Sequence, residues 1–202
     1  MLGSVIDFVR QPDSLDNALK IAGSIRNSNL SAKMFRYLLD NPSMALLVEE
    51  NWRPAPIDLD ALAGLPEGSL GHEYAQKLLS LHLTPNSLID PNPIANPQDY
   101  VKHRIRETHD IVHVLTGFGV DRTGELGLQA FNLAQNRSPL AVMLLFGGML
   151  AALKHDEPLE DLLPSISRGF ELGLKAKCVI AQKLEEGWDR PLSDWREELG
   201  IA

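Results

Sequence analysis

The segment "THDIVHVLTGFGVDRTGELG", Thr108 to Gly127, places His109, Asp110, His113 and Glu125 among apolar and small residues. Its first half has helical spacing, and the glycines that follow let the chain reverse direction before a second helix begins. The segment therefore predicts two consecutive helices joined by a glycine loop. It also raises the question of why four polar side chains occur so close together.

The three polar residues of the first helix would project from one side of it. Successive helical residues rotate by about 100°, which places His109, Asp110 and His113 in a fan. A four-residue spacing presents two imidazoles to one metal ion. Glu125 would return beside them in the first turn of the next helix, where the helix dipole favours a carboxylate. We expect these four residues to bind a divalent metal, with zinc suiting the mixed ligands and iron, manganese and magnesium as alternatives.

Other interpretations of this segment are open. Two histidines four residues apart also occur on a solvated helix face. A zinc peptidase would need glutamate at the position where this sequence has Asp110. It would also need an edge strand to hold a peptide, and the sequence predicts no strand. A His-Asp phosphohydrolase would need further ligands on other helices, and His72, His82 and His155 have no such setting.

Helical periodicity extends through nearly the whole chain, without the alternation of a half-buried strand. It predicts an all-α, single-domain helix bundle over residues 1–202, with a Pro/Gly-rich connector at residues 51–69. Capping and proline signals predict its helices: one after Pro12, one from Ser31, one from Pro42, a short one after Asp58, one from Ser69 to about Leu83, a long motif-bearing helix from Asn96 and Pro97 to Leu115, one capped by Thr123, one opened by Ser138 and Pro139, one from Pro164 to about Glu186, and a short one in "LSDWREELG".

The run "LAVMLLFGGMLAAL", Leu140 to Leu153, contains 14 residues without a polar side chain. A transmembrane helix needs about 20 such residues, so the run predicts a helix buried at the centre of the bundle. Gly147 and Gly148 would let a neighbouring helix or a slender ligand approach its backbone.

Composition excludes some partners. The 202 residues include 19 Lys and Arg against 27 Asp and Glu, a formal charge of 19 − 27 = −8. This charge repels nucleic acid and anionic lipid alike. The single cysteine, Cys178, cannot form an internal disulfide. The N-terminal sequence "MLGSVIDFVRQPDSLD" shows neither a signal nor a transit peptide, which leads us to expect a cytoplasmic protein.

Several segments together resemble a known family. "HDIVHVLTGFGVDRTGE" matches the His-Asp-x-x-His, eleven residues, Glu signature of the ubiquinone (coenzyme Q) biosynthesis protein 4 family. "LPEGSLGHEYAQ", "RIRETHD" and "EEGWDRPLSDWREELGI" agree as well, so the resemblance covers residues 65–201. It implies an all-helical fold, a divalent metal at His109, Asp110, His113 and Glu125, and a role in making prenylated quinones.

The resemblance implies two functions between which the sequence does not decide. Members of the family are assigned the oxidative decarboxylation of a polyprenyl-hydroxybenzoate ring, which would make the protein a metal-dependent lyase. From their positions on the motif-bearing helix, with Arg106 one turn before Asp110, we expect Asp110 and Arg106 to be its catalytic residues. They are also regarded as organisers of a complex of quinone-biosynthesis enzymes on the membrane surface. The second function is that of a non-catalytic lipid-binding scaffold.

A polyprenyl lipid needs an apolar groove, because each exposed CH₂ costs about 0.8 kcal/mol. We expect the isoprenoid tail of the lipid to contact Leu78, Leu79, Phe131, Met143, Phe146 and Gly147, although these side chains could equally fill a dry core. The net charge limits membrane association to peripheral contact through apolar surface. A homodimer is expected, with Trp188 or Trp195 in either its interface or the intramolecular core.

Overall fold

A computed structural model of the chain describes residue 23, residues 28–85 and residues 93–201. Within these ranges the protein is all-α, as predicted, with one isolated β-bridge between Ser69 and Pro191 and no strand. Of the helix predicted after Pro12, only Gly23 is among the described residues, and it is helical. The described helices are α1 (Asn29–Leu39), α2 (Pro42–Glu49), α3 (Leu59–Ala63), α4 (Leu70–Ser80), α5 (Pro97–Glu107), α6 (His109–Thr116), α7 (Arg122–Asn136), α8 (Pro139–Lys154), α9 (Leu159–Lys175) and α10 (Leu192–Leu199), with 3-10 turns at Val179–Ala181 and Leu184–Gly187.

Side chains that cap helix N-termini fix most of the starts that the sequence predicts. Asn41, Asp58, Ser69, Asn96 and Ser138 each accept a hydrogen bond from a backbone amide in the first turn of the helix that follows. These bonds satisfy amides that have no partner inside the helix. The predicted starts at Pro42, Ser69, Asn96 and Ser138 are therefore confirmed.

Three predicted boundaries are wrong. Helix α4 ends at Ser80 and not near Leu83. Helix α7 begins after Asp121, so Thr123 does not cap it. The helix predicted from Pro164 to Glu186 runs from Leu159 to Lys175 and gives way to 3-10 turns. The helix does not continue beyond Lys175, and the amide of Lys177 donates to the carbonyl of Leu199, in a distant part of the chain, at 2.9 Å.

The described residues fall into two compact units. The first contains the residues up to Tyr37 together with Phe118–Lys175. In it, α7 packs against both α8 and α9, around a buried cluster of Leu126, Ala130, Leu145, Ala152 and Leu162. A Cβ atom on Gly169 of α9 would lie 2.0 Å from the Gly127 carbonyl oxygen of α7, so this close helix crossing requires glycine.

Helix α8 is buried on one side only. Leu144, Leu145, Gly147 and Gly148 are buried, whereas four apolar side chains on its other side are 37–60% exposed: Val142, Phe146, Leu150 and Leu153. The prediction that this helix is buried at the centre of the bundle is therefore wrong for half of its surface. An uninterrupted apolar run has no periodicity from which the exposed side could be read.

The second unit contains Leu38–Gly117 and the C-terminal segment from Ala176. Helix α6 packs there against α4 and α10. The start of α4 is bonded to the C-terminal segment, because the Gly71 amide donates to the Trp188 carbonyl at 2.8 Å. Trp195 is 8% exposed and the Trp188 ring lies 5.1 Å from that of Tyr74, so both tryptophans pack within this unit. That the chain forms a single domain stays a prediction.

Candidate metal centre

Helix α6 carries the two histidines and starts where α5 ends. The long helix predicted to reach Leu115 is divided at Thr108, between Glu107 and His109. The Thr108 hydroxyl donates to the Arg104 carbonyl oxygen at 2.7 Å, and the Thr108 amide donates to the same oxygen at 3.0 Å. Threonine side chains that bond to the preceding turn bend helices. The prediction of one continuous helix is therefore wrong at this residue.

His109 and His113 lie one turn apart on α6, as the spacing predicts. Their ring centroids are 4.9 Å apart and the rings meet edge to face, with 86° between their planes. His113 is 1% exposed, whereas His109 is half-buried. The pair therefore lies where the helix passes from the interior to the surface, and it is not a solvated helix face.

The C-terminal end of α6 is fixed by an arginine from a distant part of the chain. Arg196, on α10, donates from Nε to the Leu115 carbonyl at 2.8 Å and from Nη2 to the Val114 carbonyl at 3.0 Å. Gly117 has a left-handed conformation (φ 73°), and its amide donates to the His113 carbonyl at 2.9 Å. A cation at a helix C-terminus also interacts favourably with the helix dipole. No local signal in the sequence connects Arg196 with α6, and the sequence analysis missed it.

The glycine loop after α6 leads directly into α7. A Cβ atom on Gly124 would lie 2.3 Å from the carbonyl oxygen of Gly119, so the first turn of α7 packs on the loop backbone. The next residue, Glu125, donates its amide to the Asp121 carbonyl at 2.8 Å. Its carboxylate lies in the first turn of α7, where the helix dipole stabilises negative charge.

The ligand atoms of His109, His113 and Glu125 all lie within 4.8 Å of one another. Two imidazole nitrogens and one carboxylate oxygen form the ligand set of catalytic zinc sites, in which a fourth position is open to water or substrate. Iron and manganese accept the same donors. The donor set therefore fits a divalent metal, and three of the four predicted ligands form the candidate site.

Asp110 was predicted as the fourth ligand, and its carboxylate is not part of this group of described residues. Burial raises the pKa of the Tyr74 hydroxyl on α4, and the negative charges of Asp110 and Glu185 raise it further. Asp110 lies on α6, the helix that packs against α4. Its roles as a metal ligand and as a catalytic residue stay predictions.

Two arginines of α5 differ in their surroundings. Arg104 is fully buried and pairs with Glu107 at 3.0 Å and with Glu185 at 2.7 Å. It also donates to the Gln182 carbonyl at 3.0 Å. Removing one member of such a buried network leaves uncompensated charge, so Arg104 ties the turn before α6 to the C-terminal segment. Arg106 is half-buried, and its predicted catalytic role stays a prediction.

The predicted lipid-contacting residues differ in exposure. Leu78 and Phe131 are each 1% exposed, whereas Leu79 is 42% and Phe146 52% exposed. Gly147 is buried and Met143 is half-buried. The buried members already pack in the interior, so only the exposed ones present apolar surface without a change in structure. That these six residues contact a lipid stays a prediction.

Comparison with known proteins relates the chain to quinone biosynthesis. Residues 16–202 match the family described as coenzyme Q (ubiquinone) biosynthesis protein Coq4. The mitochondrial ubiquinone biosynthesis protein COQ4 homologue of Rattus norvegicus is 33% identical over 171 residues, covering 80% of this chain and 62% of the relative. The homologue of Danio rerio, also named as mitochondrial, is 31% identical over 210 residues, covering 99% of this chain and 74% of the relative. The chain thus spans about 62% of the length of the rat relative.

A solved structure agrees with the fold. The crystal structure of a candidate ubiquinone biosynthesis protein from Nostoc punctiforme PCC 73102 superimposes with a TM-score of 0.87 at 35% identity. The match covers 99% of this chain and 96% of that protein. Within the described residues, no helix has the length and apolar character needed to cross a bilayer.

Proposed function

The chain belongs to the Coq4 family of coenzyme Q (ubiquinone) biosynthesis proteins, and from this premise we propose that it binds a divalent metal and acts in prenylated-quinone biosynthesis. The observation that supports the proposal is the grouping of His109, His113 and Glu125, whose ligand atoms lie within 4.8 Å of one another. Zinc is the metal we expect, with iron, manganese and magnesium as alternatives.

In the enzymatic form of this proposal, the substrate is a polyprenyl-hydroxybenzoate, whose ring carboxyl is replaced by a hydroxyl. The bound metal would supply Lewis acidity toward an oxygen of the ring. Arg106 would orient the ring carboxylate, as guanidinium groups do with carboxylates. Asp110 would hold a proton or a water molecule at the same end of α6. The carboxyl leaves as CO₂, and an external oxidant must supply the new hydroxyl oxygen.

A scaffold without turnover is the second candidate function, and the exposed side of α8 favours it. Phe146 and Leu153 are 52% and 60% exposed there, beside Val142 and Leu150. Leu163, Phe170 and Leu174 on α9 are also 42–64% exposed. Such apolar surface is typical of sites that contact lipid or protein. A scaffold would use it to bind an isoprenoid lipid, a membrane surface, quinone-biosynthesis enzymes or a second copy of the chain.

The exposed apolar side chains of α8 and α9 also suggest where the protein acts. We propose peripheral contact with a membrane through apolar side chains, because a net charge of −8 opposes electrostatic attachment to anionic lipid. The names of the rat and zebrafish relatives place those proteins in mitochondria.

Metal analysis and native mass spectrometry of the purified protein test both functions. We expect one divalent ion per site in the wild type and its loss in Glu125→Gln. In cells that depend on this protein, the enzymatic function predicts that Glu125→Gln abolishes quinone production while lipid stays bound. Full quinone production by the metal-free variant would contradict the enzymatic function and support the scaffold function.

Glu160→Gln is the matched control for this experiment. Glu160 is an exposed carboxylate in the first turn of α9, just as Glu125 lies in the first turn of α7. Like Glu125→Gln, this substitution converts a carboxylate in the first turn of a helix to an amide. It should leave both metal content and quinone production at wild-type levels.

A further inference from the structure

On α4, which packs against the histidine-bearing helix α6, one buried tyrosine hydroxyl has no hydrogen-bond partner among the described residues. Tyr74, on α4, is fully buried, and no described residue pairs with its hydroxyl. Buried polar atoms in proteins nearly always have a partner, and one that lacks a protein partner suggests an ordered water or ligand atom. Tyr100, buried in the same unit, shows the usual arrangement, because its hydroxyl donates to the Trp52 carbonyl at 2.9 Å.

Two carboxylates act on the Tyr74 hydroxyl. Burial raises its pKa most, followed by the negative charges of Asp110 and Glu185. A tyrosine hydroxyl is a hydrogen-bond donor in its ordinary protonated form. Glu185 already accepts two hydrogen bonds from Arg104, at 2.7 and 3.3 Å. Asp110 lies on α6, directly after the metal-ligand candidate His109 and on a helix that packs against α4.

We propose that Tyr74 is a positioning residue of the metal site, whose hydroxyl donates to an oxygen atom that also binds the Asp110 carboxylate. This inference rests on the proposed metal-binding function. The Tyr74 hydroxyl has no partner among the described residues, and one oxygen atom between it and Asp110 would supply one. A buried water with two to four polar partners is the usual occupant of such a position. An oxygen of the bound ring head group is the other source. Either oxygen holds Asp110 in one orientation next to His109.

The first experiment compares Tyr74→Phe with Tyr100→Phe, which removes a buried hydroxyl from the same unit. Isothermal titration with zinc chloride should show metal binding at least about tenfold weaker in Tyr74→Phe, as when groups that orient a ligand are removed. Tyr100→Phe should bind zinc within about twofold of the wild type while its melting temperature falls. If Tyr74→Phe binds zinc like the wild type and melts at a higher temperature, its hydroxyl is only an unsatisfied core group and the inference is wrong.

The second experiment uses metal-free, delipidated protein, so it stays informative even if the wild type binds no zinc. Tyr74→Phe should lower the melting temperature by about 2–4 °C in the wild-type background and change it little in an Asp110→Asn background. This double-mutant cycle is repeated in the presence of 4-hydroxybenzoate. Melting-temperature shifts that are not additive without this compound identify a water between the two side chains. Shifts that are non-additive only in its presence identify an oxygen of the ligand. Additive shifts under both conditions would overturn the proposal.

Discussion

At the residue scale, Gly124 shows how the loop after α6 places a ligand. A Cβ atom there would lie 2.3 Å from the Gly119 carbonyl oxygen, closer than any side chain tolerates. The clash is with backbone, so no rotamer change can relieve it. The glycine is therefore required by the packing of the first turn of α7 and not by its own dihedral angles.

We predict that Gly124→Ala destabilises the protein by about 2–4 kcal/mol and weakens metal binding, because Glu125 follows directly. Urea unfolding and zinc titration measure the two effects. Gly64→Ala is the control, since its Cβ would meet the nearest carbonyl oxygen at an ordinary 3.4 Å. Equal stability of the two variants would contradict the packing described here.

The Arg196 side chain satisfies two carbonyls at the end of α6, and its removal leaves them without these donors. Arg196→Ala is expected to cost about 1–3 kcal/mol of unfolding free energy, measured by urea titration. Arg196→Lys should recover part of that loss through its charge. Arg36→Ala is the control, because this exposed arginine in the last turn of α1 should change stability by less than about 0.5 kcal/mol. A loss as small for Arg196→Ala would show that the two bonds contribute nothing.

At the element scale, Pro164 lies inside α9, five residues after Leu159 at its start. Proline there removes one backbone hydrogen bond of the helix and crowds the carbonyl of Glu160. Pro164→Ala is therefore expected to stabilise the protein by about 1–3 kcal/mol, measured as a higher urea midpoint with an unchanged slope. Pro139→Ala should give no gain, because Pro139 occupies the first turn of α8, where proline fits. An unchanged midpoint for Pro164→Ala would mean that α9 has already adapted to proline.

The sequence predicts where helices start better than where they end. The starts of α2, α5 and α8 depend on Asn41, Asn96 and Ser138, which act within one turn and are visible as local patterns. The end of α9 depends on long-range contacts, such as the bond from Lys177 to the Leu199 carbonyl, which no local pattern shows. Proline is common in the first turn of a helix, so Pro164 predicts a helix start at its own position. The observed start of α9 lies five residues earlier, at Leu159.

The same distinction holds for the candidate site. The four-residue spacing of His109 and His113 and the glycines before Glu125 are local features, so three grouped ligands could be predicted. Arg196 bonds to α6 from α10, far along the chain, and no local pattern of residues connects the two. Tertiary packing decides such partners.

At the scale of the whole molecule, strong negative charge coexists with exposed apolar side chains on α8. Phe146 is 52% exposed, so Phe146→Ser should change the melting temperature little. We predict that it reduces binding to phosphatidylcholine vesicles, measured by flotation, about five- to tenfold. Burying a whole phenyl group contributes about 1.5–3 kcal/mol, and only about half of this side chain is exposed and left to be buried. Phosphatidylserine should not strengthen wild-type binding, given the net charge of −8.

Leu46→Ser is the control for the vesicle experiment. Leu46, on α2, is 51% exposed and loses a comparable apolar surface. Its flotation should match that of the wild type. Equal losses in both variants would point to general surface hydrophobicity, and the exposed side of α8 would then have no special role in membrane contact.

The bonds from Arg196 to α6 have a consequence for protein synthesis. A ribosome releases residues 109–116 long before it translates residue 196, so a nascent chain holds the histidine-bearing helix with its C-terminal carbonyls still open to water. The helix gains its final donors only after α10 has been translated. A nonsense codon early in α10 would therefore yield a polypeptide that contains every candidate metal ligand and still lacks the guanidinium that completes the end of α6.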